Sequence, residues 1–185
     1  MSSETINQVM DRISDDLLIQ FEQITRFGFE RYQQIPAELR IDLSPRAQAA
    51  CIYDFMMTES ERRFDGRADI RPITMRGLKV WAVEDHTLVR LKKMDASGLK
   101  CNYRTKQTKE YDRGTSFAEF PPEAIRLTVG YFADAFSSSI ERVQVAYQRG
   151  TRIDWCAAIL PEDQRVEGQK IWTDVTMQGR IAGFG

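Results

Sequence analysis

"IRLTVGYFADAFSSSIERVQVAYQRGTRIDWCAAILP", residues 125–161, decides the fold. It holds three runs, "IRLTVGYFAD", "SIERVQVAYQRG" and "TRIDWCAAILP", rich in Val, Ile, Tyr and Trp. Such side chains suit the pleated, half-buried surface of a sheet. The links between the runs are short, and "YQRGTRID" reads as a tight turn around Gly150. Strands joined this way pair antiparallel, as a meander.

Upstream, "DIRPITM" and "GLKVWAV" are short, β-rich runs, and "EDHT" reads as the turn into "LVRLKKM". In that last run Val89 and Leu91 alternate with Arg90 and Lys92, so one side is apolar and the other basic. The expectation is an antiparallel sheet of about five strands. Residues 95–121 are polar, and "TKQTKEYDRG" within them reads as a short helix.

The first third is helical. Thr5 and Gln8 stand in a capping-box relation. Ile6, Val9, Met10, Ile13, Leu17, Phe21, Ile24 and Phe27 then recur every three or four residues. A helix over 5–33 is expected, roughly 43 Å long at 1.5 Å per residue, with Gly28 as a place to bend. A second helix is signalled by Ser44 as N-cap and Pro45 at its first position, with Arg62 and Arg63 in its last turn and Gly66 beyond. Its expected buried side is Ala47, Ala50, Cys51, Phe55 and Met56. Helices followed by strands argue α+β. Residues 1–36 form an amphipathic element suited to self-association or a partner. Residues 37–185 form a single α+β domain, with Trp172 and Val175 anchoring an otherwise mobile tail.

Composition narrows the class. The chain has 185 residues, of which 42% are hydrophobic and 29% charged, enough to build a core without metal or disulfides. Cys51, Cys101 and Cys156 form no close-spaced pair, and His86 is the lone histidine. Zinc and a disulfide framework are therefore not expected. Cys51 and Cys156 lie in apolar runs and read as core thiols. No apolar run reaches signal-peptide or membrane-span length, so a cytoplasmic protein away from membranes is expected.

Charge is segregated. Residues 1–61 carry five basic and eleven acidic side chains, and residues 62–113 carry fourteen and seven. The densest basic stretch is "VEDHTLVRLKKMDASGLKCNYRTKQTKEYDRG", residues 83–114. Its candidate binding residues are Arg90, Lys92, Lys93, Lys100, Tyr103, Arg104, Lys106, Lys109, Tyr111 and Arg113. Clustered cations suit phosphate backbones or an acidic protein, and interleaved tyrosines can stack on bases. The plain alternative is a solvated hairpin face, or internal pairing with the acidic helices.

No GxGxxG, P-loop, GxSxG or HExxH is present. Metal-dependent phosphodiester chemistry needs converging carboxylates. His86 is the sole candidate base for a Ser or Cys nucleophile, while Glu59 or Glu61 with Glu84 and Asp85, near Lys92 and Lys93, are the candidate catalytic residues for the metal-dependent reaction. Mg²⁺ or Mn²⁺ would be needed under that reading alone; otherwise no cofactor is expected. No motif decides between a binding protein and an enzyme.

The runs "RRFDGR", "RGLKVWAVEDHTLVRLKKMD", "NYRTKQTKEYDRG", "IRLTVGY" and "IDWCAAIL", within residues 44–160, resemble a set of small bacterial proteins. These are the uncharacterised half of two-gene toxin–antitoxin or phage-defence modules. The other gene there encodes a helix-turn-helix protein fused to a zinc-peptidase-like domain. The resemblance involves no catalytic motif, so no residue role follows from it. It implies a protein partner. The leading expectation is a binding or effector protein of such a module, acting through residues 83–114. The alternatives are a divalent-metal nuclease-like toxin and a structural phage or mobile-element protein.

Overall fold

The structure, a computed structural model, describes residues 5–75, 77–101, 105–115 and 117–176. Four helices precede the sheet: α1 (Ile6–Met10), α2 (Asp15–Gln33), α3 (Ala37–Arg40) and α4 (Pro45–Phe64). Then come β1 (Ile70–Met75), β2 (Leu78–Val83) and β3 (Thr87–Lys93). A crossover containing α5 (Lys106–Asp112) leads to β4 (Ile125–Ala133), β5 (Ile140–Arg149), β6 (Arg152–Ile159) and β7 (Trp172–Asp174).

The fold is α+β, as expected, but the sheet is larger and mixed. Its seven strands lie in the order β1 to β7. The meander β4–β5–β6 is antiparallel, as read from residues 125–161. The β3–β4 pair is parallel, with Lys92 opposite Gly130. A parallel neighbour requires a long connection, and residues 94–124 supply it. The seventh strand is a short tail segment pairing with β6. Its two exposed residues out of three give little apolar pattern to read.

The expected single helix over 5–33 is two helices. The Thr5–Gln8 capping box is present, but α1 stops at Met10. Ser14 then starts α2, its Oγ accepting from Leu17 N at 3.2 Å, with Asp15 and Asp16 in the first turn. Gly28 does not mark the break. A Cβ on it would lie 2.4 Å from Met56 Cγ and 3.0 Å from Ile52 O. Its lack of a side chain lets α2 and α4 cross closely. That crossing sets the buried side of α4 at Ile52, Met56, Met57 and Phe64. Of the residues expected there, only Met56 is fully buried. Ala50 is exposed, while Ala47, Cys51 and Phe55 are half-buried.

α1, α2 and α4 cover one face of the sheet. From Val9 to Ile24 the apolar stripe of the first two helices is buried within the same core as Trp81, Val89, Leu127 and Val145, with Ile6 packed at its margin and Phe27 half-buried outside it. Edge-to-face rings stitch the layers: Phe21 to Phe64 at 5.3 Å and Phe64 to Trp81 at 4.9 Å. Each such pair adds about 0.5–1.5 kcal/mol beyond its buried area.

The crossover covers the other face. Tyr111 and Phe120 pack on Ile73, Val80, Ala82 and Leu88. Asp95 closes a turn by accepting from Ser97 N and Leu99 N. Gln144, buried in β5, donates to Asp95 O at 2.7 Å. Trp172 and Val175 are buried, anchoring the tail as expected. Residues 177–185, expected to be mobile, lie outside the described residues.

Gly130 tests this account. A Cβ there would sit 1.6 Å from the Lys92 carbonyl oxygen, a backbone atom that cannot swing away. Gly130→Ala is expected to cost about 3 kcal/mol or more in urea unfolding. A loss below about 1 kcal/mol would show that the parallel pair relaxes freely, against the overpacking argument.

Candidate functional site

The site begins where a ladder stops. β2 and β3 pair at Val83–Thr87, Ala82–Leu88 and Trp81–Val89, and no further. β2 continues alongside β1 as far as Leu78, and β3 continues alongside β4 as far as Lys93. Residues 90–93 therefore have a strand neighbour on one side only.

Arg90 and Lys92 lie on this unpaired run. Arg90 is 3% exposed. Its guanidinium lies 5.0 Å from the centre of the Tyr111 ring. Its Nε and Nη1 are buried and make no hydrogen bond. Lys92 Nζ lies 4.2 Å from the ring centre of Tyr53, on α4. Burial, then the positive charges of Arg90 and Lys100, bring the Lys92 pKa down to about 8, with Asp54 opposing. Burial also raises the Tyr53 hydroxyl, opposed by Arg90 and then Lys79. The cluster thus reaches from α4 to α5 through the opening between β2 and β3.

Tyr111 is its apolar centre. The ring is buried and its hydroxyl donates to Leu88 O at 3.2 Å. Burial lifts that hydroxyl far above the usual range. Arg126 lies 5.1 Å from the same ring and Lys100 Nζ 6.0 Å. Lys100 forms an ion pair with Asp112, both side chains almost enclosed. Arg126 donates to Tyr111 O at 2.6 Å and Thr115 O at 2.5 Å, closing the C-terminal end of α5. Gly150 N donates to Asp112 O at 2.8 Å and ties α5 to the β5–β6 turn.

The basic stretch therefore divides in two. Arg90, Lys92, Lys100 and Tyr111 belong to the interior cluster. Lys93 is half-buried and donates to Ser137 Oγ at 3.3 Å. Lys106, Lys109 and Arg113 are exposed on and beside α5. Tyr103 and Arg104 lie outside the described residues. Part of the positive segment does pair with the acidic helices. Arg62 and Arg63 hold Glu59, Arg67 holds Asp16, and Lys79 holds Glu61. No such ion pair forms at Lys106, Lys109 or Arg113 among the described residues.

The candidate catalytic carboxylates each have a separate partner. Glu59 is buried and accepts from Arg62 Nη2 and Arg63 Nε, both at 2.6 Å. Hydrogen bonds from Arg62, resisted by burial and reinforced by Arg63, lower its pKa to about 2. Glu61 faces Lys79 at 3.3 Å, and Asp85 faces Arg71 at 3.4 Å. His86 is held in its turn by Glu84 at 3.1 Å and by Thr87 Oγ1 at 2.8 Å. Among the described residues no group of three or more His, Cys, Asp or Glu side chains converges as metal ligands would. Cys156 is buried, and burial pushes its thiol up to about 12. Cys51 is half-buried rather than fully in the core. Cys101 is exposed, its thiol raised by burial of the sulfur and by Asp95.

Sequence reasoning missed Tyr53, Asp112 and Arg126. Strand alternation sets Arg126 opposite in facing to Leu127 and Val129, but nothing in the sequence shows that α5 lies over that face. Tyr53 carried no signal at all. The chain matches no family model, no curated protein and no solved structure. No helix among the described residues is long and apolar enough to cross a membrane.

Two titrations check these environments. Lys92 releases its proton near pH 8 in the fold and near 10.5 when unfolded. Between those values the unfolded chain binds more protons, so this group's contribution to stability rises with pH. Below about 8 the full penalty applies. Lys92→Met is therefore expected to be more stable than the native chain near neutrality, with the gain shrinking as pH approaches 10.5. Equal urea midpoints near neutrality would count against a penalised Lys92. Glu59 has the opposite sign. Its stabilisation is full above 4.5 and lost as pH falls toward about 2. Glu59→Gln is expected to remove that slope from acid unfolding, and an unaltered slope would show that its two arginines contribute nothing.

Proposed function

We propose that this chain is a binding protein whose partner surface is the exposed basic row Lys106, Lys109 and Arg113. In this reading it is the binding or effector half of a bacterial, cytoplasmic two-gene module of the toxin–antitoxin or phage-defence type. One observation carries the proposal. Those three cations stand exposed, outside any ion pair among the described residues, while Arg62, Arg63, Arg67 and Lys79 are ion-paired within the chain. An unneutralised row of one sign steers an oppositely charged partner and fixes its register. An acidic protein is favoured over a nucleic-acid strand in that Tyr111, one of the two tyrosines read as base platforms, is buried. The sequence resemblance to two-gene modules points the same way. The hydrolytic alternative gains no support from Glu59, Glu61, Glu84 and Asp85, each held by a different group.

The test is affinity capture of the tagged chain from its own host, with protein and nucleic acid both read out. A stoichiometric acidic protein is expected. Lys106→Glu, Lys109→Glu and Arg113→Glu together should weaken its binding by about tenfold or more. Full capture by that triple variant would overturn the proposal. Nuclease-sensitive nucleic acid without a protein partner would also overturn it.

A further inference from the structure

The interior cluster raises a separate question from the exposed row. A guanidinium that is 3% exposed, with Nε and Nη1 in no hydrogen bond, is costly unless something answers its charge. Its neighbours make the imbalance worse. Lys92 lies close enough to Arg90 and Lys100 for both to depress its basicity. Asp112 is engaged by Lys100, and Asp54 acts on Lys92 more weakly than either neighbouring cation. Arg90 and Lys92 have no ion pair among the described residues, so excess positive charge is concentrated where β2 and β3 part.

We propose that this opening is a phosphate site, in which Arg90 and Lys92, with Lys100 beside them, hold a phosphate dianion, either free or as the terminal group of a phosphate monoester. The planar fork of an arginine offers parallel donors that match two phosphate oxygens, and Nε and Nη1 are the two donors left unused. Lys92 adds a point charge, its Nζ 4.2 Å from the centre of the Tyr53 ring. The burial of Arg90 selects the form of the ligand. A continuous phosphodiester strand lies along a surface and does not reach an enclosed guanidinium. A compact terminal phosphate reaches it where the side chains over Nε and Nη1 move aside. Dianionic phosphate also restores near-neutrality to the group, which a single carboxylate would leave short.

This site uses none of the residues in the exposed row, so the two proposals fail separately. Thermal unfolding of the full chain is measured in inorganic phosphate against chloride at equal ionic strength. Phosphate stabilises many proteins by exclusion from their surface, so the readout is the difference between the native chain and Lys92→Gln. The native midpoint is expected to rise by about 2 °C or more beyond that of Lys92→Gln at millimolar phosphate. The variant's own midpoint without phosphate should be no lower than the native one. Arg90→Met is a second variant, read by calorimetric titration if it folds. A nucleoside monophosphate and a 5′-phosphorylated oligonucleotide, each against its unphosphorylated counterpart, distinguish a terminal monoester from the free ion, and a response to either source supports the site. Equal phosphate responses in the native chain and Lys92→Gln, or none in either, overturn it. A phosphate response retained by the Lys106, Lys109 and Arg113 triple variant shows that the site stands apart from the partner surface, and its loss there would move the anion to α5 and overturn the assignment.

Discussion

Where β3 meets β4, the Lys92 carbonyl presses against Gly130 so closely that no side chain fits between them. The rest of the molecule is arranged around that parallel contact. Two parallel neighbours cannot be joined by a tight turn, so the chain must leave the sheet after Lys93 and return at Ile125. It spends the interval covering the face that the helices leave bare. The sheet is thus enclosed by two unlike layers: packed helices on one side and a polar, largely irregular crossover on the other. The second layer brings Tyr111, Asp112 and Lys100 to the back of β3 and creates the charged interior.

The meander was legible because residues 125–161 combine β-rich runs with short links. The second helix was legible from Ser44, Pro45 and the paired arginines at its end. Local chemistry decided both. What escaped was set by distant partners. Gly28 reads as a weak point in a helix, yet its role depends on Met56 of another helix. The split at Ser14 escaped because the apolar periodicity runs straight through it. The parallel junction escaped because strand patterns carry no direction. The buried face of α4 was misjudged for a related reason: the helix has apolar residues on several sides, and the α2 crossing selects among them.

The same limit governs the site. The density of cations in residues 83–114 was plain in the sequence, and it marked the right region. Their division was not plain, because exposure depends on what lies over β3. Alternation correctly opposed Arg90 to Val89 and Leu91, but the basic side is not a solvated one. At Arg90 it is covered by Tyr111 of α5, and at Lys92 it meets Tyr53 of α4. A lysine or arginine in a strand reads as surface because burying it is expensive. Here the expense is borne next to aromatic rings, a setting that sequence spacing does not encode.

The hydrogen bond from Gly150 N to the Asp112 carbonyl has a consequence for how the chain is made. Synthesis runs from the N-terminus, so α5 leaves the ribosome before the turn that secures it exists. The crossover can pack Tyr111 against β1, β2 and β3, which precede it, but its tie to the β5–β6 turn waits until β4, β5 and the start of β6 have followed. Over that interval the Asp112 carbonyl lacks its Gly150 donor, so the C-terminal end of α5 is the part secured last.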